Sequence, residues 1–95
     1  MNLNLSNKTF LISGSSRGIG FEIAESLLNE EANVIITGRS KKLIQKQFNK
    51  LYLQFGSKVA YVNGDIKNNL VLKNIKNLIK NLYKNKSYSL FTLDV

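Results

Sequence analysis

The sequence predicts an α/β fold in which helices cover both faces of a parallel sheet. Three observations carry that prediction. Short apolar runs, Phe10-Leu11-Ile12, Val34-Ile35-Ile36 and Val59-Ala60-Tyr61-Val62, alternate with longer segments whose apolar residues recur every three or four positions. The first two runs are continuously apolar, as strands buried on both faces are. Between the first run and the helix after it stands Ser13-Gly14-Ser15-Ser16-Arg17-Gly18-Ile19-Gly20, whose glycines suit a sharp reversal from strand to helix.

Residues 8–13 form the expected first strand. The first helix covers about residues 17–30, with Ile19, Ile23, Ala24, Leu27 and Leu28 as its buried stripe. Its acidic residues Glu22, Glu25, Glu30 and Glu31 fall on or beside the other faces, where carboxylates are ordinarily solvated. Strand two is 33–37. Ser40 is the N-cap of a second helix over about 41–55, which buries Ile44, Phe48, Leu51 and Phe55 and ends at Gly56. Strand three is 58–62. The third helix covers about 69–84, with Leu72, Ile75, Ile79 and Leu82 in line, Leu78 beside them, and Lys73, Lys76, Lys80 and Lys84 on a solvated face. Residues 90–95 start a fourth strand beside the first, giving the order 3-2-1-4.

The glycine turn points to an anionic ligand. Gly14, Gly18 and Gly20 follow the pattern GxxxGxG, which lets backbone approach a bulky phosphate while the next helix aims its free N–H groups and positive dipole end at it. A second apolar strand ending about twenty residues after the motif completes the arrangement of a dinucleotide-binding βαβ unit.

Ser13 through Gly20 resembles the TGxxxGIG cofactor signature of the short-chain dehydrogenase/reductase family, with Ser in place of the leading Thr. The wording Ser15-Ser16-Arg17-Gly18-Ile19-Gly20 is close to that of NADP-dependent members such as the 3-oxoacyl-acyl-carrier-protein reductases. The resemblance implies a Rossmann-type three-layer α/β/α unit with a parallel sheet, here its N-terminal half of about three to four strands and three helices. It also implies cofactor contacts from Gly14, Ser15, Ser16, Arg17, Gly18, Ile19 and Gly20. For a complete chain it implies a homo-oligomer.

Cofactor choice is written after strand two. An acidic residue there bonds the adenosine ribose and favours NAD, whereas a basic one accommodates the 2′-phosphate of NADP. The sequence reads Gly38-Arg39-Ser40, and by the resemblance Gly38 stands where NAD-preferring members carry Asp. The two arginines of the chain, Arg17 and Arg39, thus fall in the two turns that flank the adenosine phosphate, and a guanidinium can hold phosphate bidentately where Lys offers a point charge. The expectation is NADP rather than NAD. After strand three, Gly64-Asp65-Ile66 on its own reads as a turn or a helix cap. The resemblance makes Asp65 and Ile66 contacts of the adenine ring.

The last residues, Leu93-Asp94-Val95, look like the opening of the family's fourth strand. The Ser and the Tyr-x-x-x-Lys pair that the resemblance assigns to catalysis are not in this sequence: Gly56, Asp65, Ser87 and Thr92 stand four positions after the four tyrosines. No catalytic residue is therefore assigned. The chain is expected to be a single cofactor-binding half-domain over 1–95, truncated before the catalytic half.

Composition narrows the other classes. With no Cys and no His, neither a disulfide framework nor a thiol-ligated metal site is expected, and a cytosolic setting fits. No membrane span is expected, since no long apolar run occurs. The net charge of +8 would permit nucleic-acid binding, but twelve of the fourteen basic residues are Lys scattered along the chain, without a nucleic-acid fold signature. Two alternatives stay open: a stand-alone nucleotide-binding or interaction module, and a basic nucleic-acid-binding domain.

Overall fold

A computed structural model describes residues 5, 8–15, 18–65, 67–82 and 89–93. Strands and helices alternate as β1 (Lys8–Ile12), α1 (Gly18–Asn29), β2 (Asn33–Gly38), α2 (Lys41–Phe55), β3 (Val59–Asn63), α3 (Asn69–Leu82) and β4 (Ser89–Leu93), with a 3-10 turn (Gly56–Lys58) before β3. The four strands form one sheet in the order β3-β2-β1-β4. Every neighbouring pair is parallel, with Phe10 beside Val34 and Phe91, and Ile36 beside Tyr61.

The side-chain alternation of the strands divides the core into two layers. Ile12, Val34, Ile36 and Val59 pack with Ala24 and Leu28 of α1 and Ile44 and Leu51 of α2 on one face. Leu11 and Ile35 point the other way and meet Ile75 and Ile79 of α3. Strands sandwiched between helix layers need apolar residues at successive positions, and the continuous runs in β1 and β2 supply them. The three-layer α/β/α architecture and the strand order expected from the sequence are both present.

Helix boundaries follow local chemistry. Ser40 caps α2 by accepting the Leu43 N–H at 3.3 Å, and Gly56 ends it at φ 66°, a conformation that costs glycine little. Asn68 Oδ1 accepts the Leu70 N–H at 2.9 Å at the start of α3.

Two expected stripes differ in detail. Ile19 is 69% exposed. The buried line of α1 is Gly20, Ala24 and Leu28, and at about 100° per residue Ile19 lies at the stripe's margin, in the first turn. On α3 the packed line is Val71, Ile75, Leu78 and Ile79 rather than the expected line through Leu72. Lys73, Lys76 and Lys80 are exposed. Tyr83, Lys84, Tyr88, Asp94 and Val95 lie outside the described residues.

The chain runs outward from β1 to β2 to β3, then returns to place β4 on the other side of β1. In open α/β sheets, ligands bind beyond the carboxyl ends of the strands where the order reverses. The glycine turn after β1 stands there.

Candidate functional site

The site is built on the carboxyl ends of β1, β2 and β3, starting from a buried floor. Ser15 is fully buried. Its Oγ donates to the Ile12 carbonyl at 2.7 Å and accepts the Thr37 N–H at 2.9 Å. Its own N–H donates to the Thr37 carbonyl at 3.0 Å. The Thr37 hydroxyl donates to the same Ile12 carbonyl at 3.1 Å. Buried backbone groups at strand ends need partners, and these bonds provide them while tying the turn after β1 to the end of β2.

Above that floor, α1 begins close to the turn. A Cβ on Gly20 would lie 2.9 Å from the Gly14 carbonyl oxygen and 3.0 Å from Ser15 Cα, closer than backbone atoms permit. Gly18 differs: it has φ +64° and nothing within 4 Å of the place a Cβ would occupy. A positive φ explains the glycine, and the open space leaves the start of α1 accessible from outside. This is a backbone cradle in which helix N–H groups and a positive dipole end can meet phosphate oxygens.

The rim is made of side chains. Arg39, at the turn after β2, is 83% exposed at its side chain, and its Nη2 donates to Asp65 Oδ2 at 2.8 Å. The Asp65 Oδ1 accepts the Lys67 N–H at 2.9 Å, so the ordinary turn reading of Asp65 also holds. That N–H, followed by the Arg39 guanidinium, holds the Asp65 carboxyl below the usual carboxylate range. The backbone beneath Arg39 is fixed: Asn63 Nδ2 donates to the Gly38 and Arg39 carbonyls at 2.9 and 3.2 Å, and the Gly64 N–H donates to Gly38 at 2.9 Å.

Of the residues expected to contact a ligand, Gly14, Gly18, Gly20, Gly38, Arg39, Ser40 and Asp65 gather at this end of the sheet. Ser16, Arg17 and Ile66 lie outside the described residues. Ser15 lies in the floor beneath the gathered residues, its hydroxyl bonded to Ile12 and Thr37 and its N–H to Thr37. Ile19 is on the surface of the first helical turn. Asn63 and Thr37 were not singled out from the sequence. A polar residue at the carboxyl end of β2 and of β3 was the available signal. Among the described residues, no cluster of His, Cys, Asp or Glu could hold a metal ion, and no helix is long and apolar enough to cross a membrane.

Comparison with known proteins agrees with this geometry. The family model described as short chain dehydrogenase matches residues 8–86. An uncharacterized oxidoreductase of Bacillus subtilis, YvaG, is 44% identical over 61 residues, 64% of this chain and 23% of that protein. The 3-oxoacyl-[acyl-carrier-protein] reductase of Chlamydia trachomatis is 37% identical over 76 residues, 79% of this chain and 31% of that protein. The chain thus spans between about a quarter and a third of the length of the curated relatives it matches. Among solved structures, L-sorbose reductase from Gluconobacter frateurii complexed with NADPH and L-sorbose superposes with a TM-score of 0.76 at 27% identity, covering 85% of this chain and 31% of that one. A short chain dehydrogenase from Bacillus anthracis gives 0.75 at 27% identity, covering 94% and 35%.

Proposed function

The chain belongs to the short-chain dehydrogenase family, whose members bind NAD(P), and we propose that its part is to hold the phosphates and adenosine of NADP(H) for an oxidoreductase acting on a carbonyl or alcohol. The observation that carries the cofactor choice is the exposed Arg39 guanidinium beside Gly38, at the strand end where an acidic residue would favour NAD.

The residues present fit the group. The N–H groups opening α1, reached through the space beside Gly18, would meet the pyrophosphate, and the positive helix end would offset its charge. Arg39 would hold the 2′-phosphate through its fork of donors. Ser40 would add its hydroxyl proton, since the oxygen already accepts the Leu43 N–H. Asp65 would accept from the adenine amine. The nicotinamide, when bound, would supply the hydride to a carbonyl or accept one from an alcohol. None of the tyrosines carries a Lys four positions on, so binding and orientation, not proton transfer, is the role assigned to residues 1–95. This reading carries with it a cytosolic setting and a homo-oligomer, checked by fractionation and by sedimentation.

Titration of the chain with NADP+ and with NAD+ tests the assignment. Arg39→Asp should lower the NADP+ over NAD+ affinity ratio by about tenfold or more, the value of charge-assisted hydrogen bonds to a phosphate. An unmoved ratio would remove Arg39 as the phosphate ligand.

A further inference from the structure

We infer that Asp65 is a positioning residue that restrains Arg39 and so weakens the chain's preference for a 2′-phosphorylated dinucleotide, an inference resting on the cofactor reading above. The Arg39 Nη2 is bonded to Asp65 Oδ2 at 2.8 Å across 26 residues of sequence. The backbone at Gly38 and Arg39 is anchored, Gly38 by Asn63 and Gly64 and Arg39 by Asn63, and the Arg39 side chain is 83% exposed. The guanidinium can therefore swing while its base cannot.

Two anions would then compete for one guanidinium. The carboxylate is in place before the cofactor arrives, because its other oxygen is pinned by the Lys67 N–H at 2.9 Å. A 2′-phosphate reaching Arg39 must either displace that carboxylate or share the guanidinium with a like charge beside it. The bond to Asp65 occupies one nitrogen, and among the described residues no other side chain bonds the guanidinium. The phosphate can thus engage Arg39, but against a standing competitor. NAD+ lacks the 2′-phosphate and is insensitive to the contest.

Asp65→Asn isolates the effect. The amide keeps an oxygen for the Lys67 N–H and a similar shape, and it removes the charge. Any change in adenine contact falls on NADP+ and NAD+ alike and cancels in their ratio. Equilibrium titrations with both dinucleotides are run on the chain and on Asp65→Asn, Arg39→Ala and the double variant, each checked for fold by circular dichroism.

Asp65→Asn should raise the NADP+ over NAD+ ratio by about two- to fivefold, the strength of an exposed ion pair expressed as affinity. The gain should vanish in the Arg39→Ala background. A ratio that stays level or falls in Asp65→Asn, or a gain that persists without Arg39, overturns the inference while leaving the cofactor reading intact. If Arg39→Ala itself leaves the ratio unmoved, or if neither dinucleotide binds, the cofactor reading falls and this inference with it.

Discussion

The floor of the site and its rim are built from the same kinds of residue in opposite ways. On the floor, Ser15 and Thr37 are buried, and their hydroxyls bond to strand-end backbone. On the rim, Ser40, Arg39 and Asp65 are partly or fully exposed and can exchange a protein partner for a ligand. The floor owes its strength to burial, where a lost partner leaves a polar group with no water to replace it. The rim owes its usefulness to exposure, which keeps each contact weak and replaceable. Rigidity below and exchangeability above is the division that the proposed cofactor site would use.

The most severe break in that division is a side chain at Gly20. Gly20→Val would drive carbon into the Gly14 carbonyl and Ser15 Cα, already 2.9 and 3.0 Å from a first carbon. Backbone must then move, and a loss of about 3 kcal/mol is expected, the upper range for overpacking. Urea unfolding measures it; a variant as stable as the parent would mean that the turn is not packed against α1.

The two serines sharpen the comparison, because the same deletion is made on floor and rim. Ser15→Ala removes the acceptor of the buried Thr37 N–H and should cost about 2 kcal/mol, with faster hydrogen exchange at the Thr37 amide. Ser40→Ala removes an exposed N-cap from α2 and should cost about 1 kcal/mol. Equal losses would erase the distinction drawn between the regions.

The floor and the rim also differ in how legible they were. Apolar alternation and the glycine spacing were enough for the parallel sheet, its strand order and the place of the turn. Ser40 and Gly56 marked α2 to the residue. The direction of individual side chains inside the turn was not readable. Ser15 and Ile19 belong to one motif, yet one is buried in hydrogen bonds and the other is exposed, because a tight turn aims each residue by its own dihedral angles, not by a period. Nor could the Arg39–Asp65 pair be read: the strand order sets β3 beside β2, but which side chains of their two following turns meet is decided by the dihedral angles of those turns.

The smallest effect expected is the acid response of the rim. The Asp65 carboxyl is held below its usual range first by the Lys67 N–H and then by Arg39, so folding favours its ionised form. Its contribution is complete above the unfolded pKa of about 3.9 and is lost as pH falls through the lower folded value. Stability of the parent minus that of Asp65→Asn should therefore be level at neutral pH and decline from about pH 5 downward. The group is exposed, so the decline is small. Salt then separates its causes: the Coulomb attraction of Arg39 and Lys67 is screened by about 1 M salt, while the hydrogen bond from the Lys67 N–H is a short contact that persists. Part of the decline should survive high salt, because that N–H is the largest single cause. A decline abolished by salt would assign the effect to charge alone. It would also mean that the rim is held by charge rather than by the turn that seats the carboxylate.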